Sequence, residues 1–354
     1  MHILITGGAG FVGSNLAIKL KAKYPDYKIV ALDNLKRRGS ELNLVRLRDS
    51  EVAFVHGDIR NKEDLYFEKE RFDLIIDASA EPSVLAGITS PVDQVINNNL
   101  TGTVNILELA RKHGAAFVFL STSRIYPVAT LEQVRFTEEE TRFRWLDEQE
   151  LPGVSSAGVT EHFPLGGSRT FYGATKLASE LLIQEYQAHS GVKAIINRCG
   201  VITGPWQMGK VDQGVVVLWV ARHLFKGQLG YFGYGGEGKQ VRDLLHVNDL
   251  FDLIDYQIHH LDAVDGGIFN AGGGVDCSVS LQELTHLCEK YTGNTLNIVR
   301  QKENRVADIR VYLTDNSFVQ KVTGWAPKYT PDKIIEEITG WIIANEKDLK
   351  PILT

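Results

Sequence analysis

The amino-acid sequence predicts an α/β fold, a Rossmann-like doubly wound parallel sheet with a smaller C-terminal substrate-binding lobe, and three observations carry that expectation. Short β-rich runs alternate with longer helical stretches up to about residue 120. The β-rich runs are nearly continuous in apolar residues and end in small or polar ones, as strands buried on both faces do. The first of them passes at once into a glycine-rich turn and a helical stretch.

In chain order the predicted strands are "HILIT", "KIVALD", "VAFVHGD", "DLIIDAS" and "AFVFLST". Between them lie the predicted helices "FVGSNLAIKLKAKY" and "NNLTGTVNILELARKHG", the second closed by Gly114 as a C-cap. From 127 to 170 the rhythm breaks into an acidic and then Gly/Ser-rich passage, long for a plain connection, which reads as a lid or insertion. Helix resumes near Tyr172 and a further strand, "KAIINRCGVI", follows. Beyond about residue 205 glycines crowd "YFGYGGEGKQVRDLLH", and an amphipathic helix is expected at "PDKIIEEITGWIIANEK". The expected division is a dinucleotide-binding domain over 1–190, with the insertion at about 127–170 and some later strands, and a substrate lobe over 191–354.

With 354 residues, 44% hydrophobic and 23% charged, the chain is able to bury a large core. Its net charge of −6 supplies no basic field for nucleic acid or an anionic membrane, so small molecules are the expected partners. Three scattered cysteines, Cys199, Cys277 and Cys288, make neither a disulfide framework nor a zinc site, which fits a reducing cytoplasm. No second ligand at metal spacing accompanies His246, and no metal is expected. The first residues lack a signal-peptide pattern and no run approaches 18 apolar residues, so a cytoplasmic protein outside the membrane is expected.

The turn "ITGGAGFVGSN" places Gly7, Gly10 and Gly13, with Phe11 and Val12 between the last two, where strand meets helix. Missing side chains there let backbone amides approach a pyrophosphate at the helix N-terminus. Asp33 closes the next strand, with Asn34 after it; a carboxylate at that place accepts from both ribose hydroxyls and repels a 2′-phosphate, favouring NAD over NADP. Arg37 and Arg38 argue the other way from farther into the loop. Asp58 and Ile59, in "HGDIR", are placed to hold adenine, although an aspartate taken alone at such a place is more often a helix cap.

Tyr172 and Lys176 in "YGATK" stand four apart and share a helix face. A neighbouring ammonium lowers a phenol from its usual value of about 10 and makes phenolate a usable base. Lys176 is also placed to hold the nicotinamide ribose. In "STSRIYP" a hydroxyl from Ser121, Thr122 or Ser123 would lie at the sheet's carboxyl edge beside that tyrosine.

Together "TGGAGFVG", "GDIR", "NNNLTGT", "STSRIY", "YGATK" and "GKQVRDLLHVNDL" resemble the extended short-chain dehydrogenase/reductases, specifically the nucleotide-sugar epimerases and dehydratases, over nearly the whole chain. The resemblance selects Thr122, four residues before Tyr126, as the catalytic hydroxyl beside Tyr172 and Lys176. It matches Asn99 to a cofactor-side asparagine, for which a local cap is the competing role. It also implies that Arg242, Arg305 and Asp308 hold the diphosphate and ribose of a nucleotide-diphosphate sugar, with Asp243, His246 and Asp249 structural. Arginine forks suit diphosphate oxygens. Arg198 reads equally as a substrate contact or a buried ion-pair partner.

Dehydratases of this kind carry Asp-Glu directly after the threonine, whereas this chain has Ser123 and Arg124. Epimerisation is therefore implied, by transient oxidation to a keto sugar, rotation and re-reduction, with NAD tightly bound and regenerated each cycle. The runs "LITGGAGFVGSNLA", "FVHGDIRNKEDL" and "DQG" at 212–214 are similar to CDP-sugar 2-epimerases. A UDP-hexose 4-epimerase is the alternative, and a dehydratase or ketoreductase a further one. Pro127, Asp77 and Glu81 depart from the family, the last two in a loop where it has other residues. A silent NAD-binding sensor has no use for Thr122, Tyr172 and Lys176 together. The two helical stretches around 97–114 and 172–190 resemble those that form the family's homodimer interface.

Overall fold

The computed structural model describes residues 1–67, 69–209 and 213–354, so Asp212 of the "DQG" run lies outside the described residues. The chain divides into two compact units, the first made of Met1–Ile125, Thr170–Arg198 and Phe251–Phe269, the second of Tyr126–Arg169, Cys199–Leu250 and Asn270–Thr354.

A seven-stranded sheet lies at the centre of the first unit. Its strands are β1 (His2–Thr6), β2 (Lys28–Asp33), β3 (Ala53–His56), β4 (Leu74–Asp77), β5 (Ala116–Thr122), β6 (Ala194–Cys199) and β7 (Ile268–Ala271). Across the sheet they run β7-β6-β5-β4-β1-β2-β3. The pairs β1/β2, β2/β3, β1/β4 and β4/β5 are parallel, with Ile3 opposite both Ile29 and Leu74. Every residue of β4 and β5 is buried, which is why those runs read as unbroken apolar text. The strand order reverses between β1 and β4, the point at which a doubly wound sheet opens a crevice at its carboxyl edge.

Three helices position the site: α1 (Phe11–Lys23), α2 (Gly102–His113) and α3 (Phe171–Ser190). Leu4, Ile75, Ile106, Leu107, Phe117, Phe119 and Ile183 belong to one apolar cluster that joins sheet, α2 and α3. Each such side chain contributes about 1.5–3 kcal/mol by leaving water. On α1 the fully covered residues include Leu16, Ala17 and Leu20.

Two predicted elements are divided in the structure. The stretch foreseen as one helix from Asn98 begins as a π turn, Asn97–Thr101, and only then becomes α2, ended by Gly114 at φ 64°. Asn99, within that turn, is bonded away from the helix to the backbone of Glu81, which accounts for the local widening. "KAIINRCGVI" separates at Gly200 into β6 and Val201–Thr203. A methyl group at Gly200 would sit 3.2 Å from Asp243 Oδ1, a tight approach that would require the carboxylate to give way by a few tenths of an ångström.

The second unit has a four-stranded sheet in which Val241–His246 pairs in parallel with Val201–Thr203 and Val311–Tyr312, and antiparallel with Ser278–Ser280. Helices Val215–Phe225, Leu281–Thr292 and Pro331–Ala344 pack against one another. Ser280 and Glu283 form a capping box, and Thr330 caps the last of these helices. The 127–170 passage contributes the hairpin Phe136–Glu138/Phe143–Trp145 and a smaller one, Val154–Ser155/Gly158–Val159. Arg142 fastens the first hairpin to Glu283, at 2.8 Å from Nε, and to the Ser278 carbonyl at 3.0 Å. Lys239 binds Glu138 at 2.8 Å. Among the described residues no helix is long and apolar enough to cross a membrane.

Candidate active site

The glycine turn after β1 is shaped by backbone proximity. Gly7 has φ 63°, and its carbonyl accepts from Gly10 N–H at 2.9 Å. A Cβ on Gly13 would lie 2.2 Å from Gly7 O, and one on Gly7 would lie 2.7 Å from Ala78 O at the end of β4. Gly10 is the N-cap of α1 and offers no side-chain acceptor, so the helix's first amides stay available to an anion. This bare helix start at the β1/β4 switch point, in a cradle that any Cβ would fill, fits a dinucleotide pyrophosphate.

Asp33 Oδ2 accepts from Ala9 N–H at 3.2 Å and Oδ1 from Leu35 N–H at 2.8 Å. Burial pushes its carboxyl above the ordinary range of about 4. Asn34 donates to Asp58 at 2.9 Å, and Arg60 grips the same carboxylate through Nε and the guanidinium end at 2.9 and 2.6 Å. Those bonds hold Asp58 well below the usual carboxylate range. Ile59 is buried against Gly102. Asn43, which sequence reasoning did not single out, donates to Ala9 O at 2.8 Å and is itself held by Arg46 at 2.7 Å. Burial lowers Arg46 to about 10.

The buried stripe of α3 is polar: Tyr172, Thr175, Lys176, Ser179 and Glu180 recur every three or four residues. A core-facing helix normally shows an apolar stripe, so this inversion marks a built site. Thr170 caps the helix through Gly173 N–H at 3.2 Å. Thr175 donates to Tyr172 O at 2.9 Å, and Ser179 donates to Asn99 O at 3.1 Å. Tyr172 and Lys176 are 9% and 2% exposed, and the Lys176 ammonium stands 3.8 Å above the Phe119 ring on β5. Thr122, at the end of β5, accepts from Arg124 N–H at 3.2 Å. The three predicted catalytic residues thus belong to the carboxyl end of β5 and the first turns of α3, within one compact unit.

Asn99 is 1% exposed; it accepts from Glu81 N–H at 2.7 Å and donates to Glu81 O at 3.1 Å and to Thr175 at 3.4 Å. It therefore joins the loop after β4 to α3. Asp77 closes β4 rather than lying in a loop, and accepts from Thr6 at 2.7 Å and Thr103 at 3.0 Å. Arg198 is 4% exposed and donates to Glu180 Oε2 at 2.8 and 3.0 Å, so of its two readings the ion pair is the one observed. Ser121 donates to Glu180 Oε1. Glu180 was missed in the sequence, although its place four residues after Lys176 on the same face was a readable signal.

In the second unit Arg242 donates to Asp308 Oδ1 at 2.9 Å and to Ile309 O at 2.7 Å. The Arg305 guanidinium lies 3.7 Å from the Phe232 ring. Arg310, which lies in the same "ENRVADIR" run but is not among the residues the resemblance maps to the substrate, is enclosed by Phe136, Phe143 and Tyr234 at 4.1, 5.7 and 5.0 Å and pairs with Glu132 at 3.2 Å. Asp243 accepts backbone amides of Gly274 and Thr314, each at 3.2 Å, and Asp249 those of Lys328 and Tyr329 at 3.0 and 3.1 Å. His246 stacks on Tyr329 at 3.8 Å.

Residues 3–272 match the model of the NAD dependent epimerase/dehydratase family. The chain is 31% identical to CDP-paratose 2-epimerase of Salmonella typhi, over 96% of its own length and 99% of that protein's. It is 28% identical to UDP-glucose 4-epimerase of Erwinia amylovora, over 98% of each. A solved dTDP-glucose 4,6-dehydratase from Streptomyces venezuelae, with NAD bound, superposes with a TM-score of 0.81 at 27% identity, covering 99% of this chain and 100% of its own.

Proposed function

The chain belongs to the NAD dependent epimerase/dehydratase family, and we propose that it is a nucleotide-sugar epimerase that inverts C2 of a CDP-sugar. The observation that carries the reading is the end of β5, where Thr122 is followed by Ser123 and Arg124 in place of the acidic pair of the dehydratases it resembles. Proton removal from a hydroxyl is provided for, and elimination of water is not. The near full-length likeness to CDP-paratose 2-epimerase supports the choice of CDP and of C2.

NAD, the cofactor of this family, supplies when bound the carbon that takes up and gives back a hydride. Gly7, Gly10, Phe11, Val12 and Gly13 would hold its pyrophosphate, Asp33 and Asn34 the adenosine ribose, and Asp58 and Ile59 the adenine edge. Tyr172 removes the proton of the sugar hydroxyl and later restores it. Lys176, buried one helical turn away, favours the phenolate. Thr122 uses its oxygen to accept the Arg124 amide, which leaves its O–H to donate to the sugar oxygen. Asn99 keeps the loop after β4 in place against α3.

Arg242, Arg305 and Asp308 take the substrate diphosphate and ribose. Arg198, bonded to Glu180, is left out of that set. Leu181 on α3 is 58% exposed, and with Ala174 it leaves an apolar face suited to a homodimer through α2 and α3. Cys199, Cys277 and Cys288 are buried and scattered along the chain, which suits a reducing cytoplasm.

Incubation with a panel of CDP-, UDP- and dTDP-hexoses, read by NMR, tests the proposal: an epimer at C2 of a CDP-sugar is expected. Inversion at C4 of a UDP-hexose would establish the second reading, which the likeness to UDP-glucose 4-epimerase supports.

A further inference from the structure

Glu180 is fully buried and Arg198 nearly so, and they form a forked ion pair with contacts of 2.8 and 3.0 Å. Glu180 also accepts the Ser121 hydroxyl. Ser121 precedes Thr122 on β5, and Glu180 continues the α3 stripe that begins with Tyr172 and Lys176. A buried ion pair is a poor device for stability, because desolvation cancels most of its attraction. Its place suggests another use. From Tyr172 to Glu180 the stripe carries phenol, ammonium and carboxylate in succession, and Arg198 on β6 completes an alternating series of charges.

We propose that Glu180 and Arg198 are positioning residues that anchor the Ser121–Thr122 strand end and cancel each other's charge near Tyr172, so that the pair leaves the base strength of its phenol to Lys176 and the other nearby groups. The inference rests on the catalytic reading of Tyr172, Lys176 and Thr122. Glu180 stands two turns from Tyr172, about 12 Å along the helix axis at about 1.5 Å per residue. A unit charge at that distance moves a titration by about a quarter to one pH unit between the limits of water and a protein surface. Other charged groups lie on the elements packed against α3: Arg124 after β5, Asp93 in Val92–Ile96, and Glu108, Arg111, Lys112 and His113 on α2. They are unchanged by the substitutions below, so they set the starting value and cancel in the comparison.

The test is the titration of Tyr172 in NAD-bound protein labelled at tyrosine Cζ with carbon-13, assigned through Tyr172→Phe. Glu180→Gln is expected to lower the phenol's midpoint by about a quarter to one unit, Arg198→Met to raise it by a similar amount, and the double variant to restore it. Ser121→Ala, which leaves both charges in place, is expected to keep the midpoint while lowering kcat by about 3- to 10-fold at unchanged KM. Midpoints that coincide in wild type and both single variants overturn the proposal, as does a full loss of kcat effect in Ser121→Ala. Where a single variant does not fold, the double variant decides: a wild-type midpoint supports the proposal and a displaced one overturns it. A wild-type protein that inverts no nucleotide sugar refutes the catalytic reading instead, and leaves the titrations to be judged on their own.

Discussion

The cradle in the first unit and the arginine cluster in the second are built from opposite materials. Around β1 and α1 the shape comes from backbone atoms and missing side chains, with a Gly13 Cβ excluded by 2.2 Å from Gly7 O. Around Arg242, Arg305 and Arg310 it comes from long cationic side chains that already have internal partners in Asp308, Phe232 and Glu132. A resident cofactor suits the first kind of site, since the donors are fixed before binding. An exchanging substrate suits the second, since an incoming diphosphate shares or replaces contacts made in its absence. Substitutions in the first region should therefore abolish chemistry or cofactor retention, while those in the second should change KM.

The largest effect is expected from Tyr172→Phe, which removes the base: kcat should fall by about 10²- to 10⁴-fold with NAD content per chain unchanged, checked by product NMR and by cofactor release on denaturation. Next is Gly13→Ala. Its methyl group meets backbone that has little room to yield, so the purified protein should carry little NAD and lose about 1–3 kcal/mol of stability in denaturant titration. In the second region Arg242→Met should raise KM for the nucleotide sugar by about 10- to 100-fold with a much smaller change in kcat. An unchanged KM there would break the comparison. Phe136→Ala, which opens the enclosure around Arg310, should cost about 0.5–1 kcal/mol and leave NAD content alone.

The smallest effect concerns pH. Burial raises Asp33 above its reference value of 3.8, so the folded protein binds this proton more tightly than the unfolded chain does. Its stabilising share is complete below that reference value and is lost as pH climbs through the raised one. In NAD-free protein, the Tm of wild type minus that of Asp33→Asn should shrink over this range by about a degree or two. A difference that grows with pH would contradict the assignment.

The same contrast explains what could be read from the chain alone. The strands up to β5, the glycine turn, Asp33 and the Tyr172/Lys176 pair are local patterns, visible within a few residues of text. The π turn at Asn97–Thr101 was not, because Asn99 is drawn aside by the backbone of Glu81, 18 positions earlier. Glu180 and Arg198, 18 apart, meet only when α3 lies on the sheet, and Ser121 reaches Glu180 across 59 positions. The enclosure of Arg310 was not legible either, because the rings that form it, Phe136, Phe143 and Tyr234, lie in segments far from it in the chain.

The central claim is that this chain inverts a hydroxyl-bearing carbon of a nucleotide sugar with no net oxidation. NMR of a CDP-sugar incubated with the purified protein, together with absorbance at the reduced-nicotinamide band, tests it most directly. The expected result is a C2 epimer with no accumulation or consumption of free NAD(P)H. Stoichiometric consumption of NAD(P)H, or a product that has lost water, would contradict it.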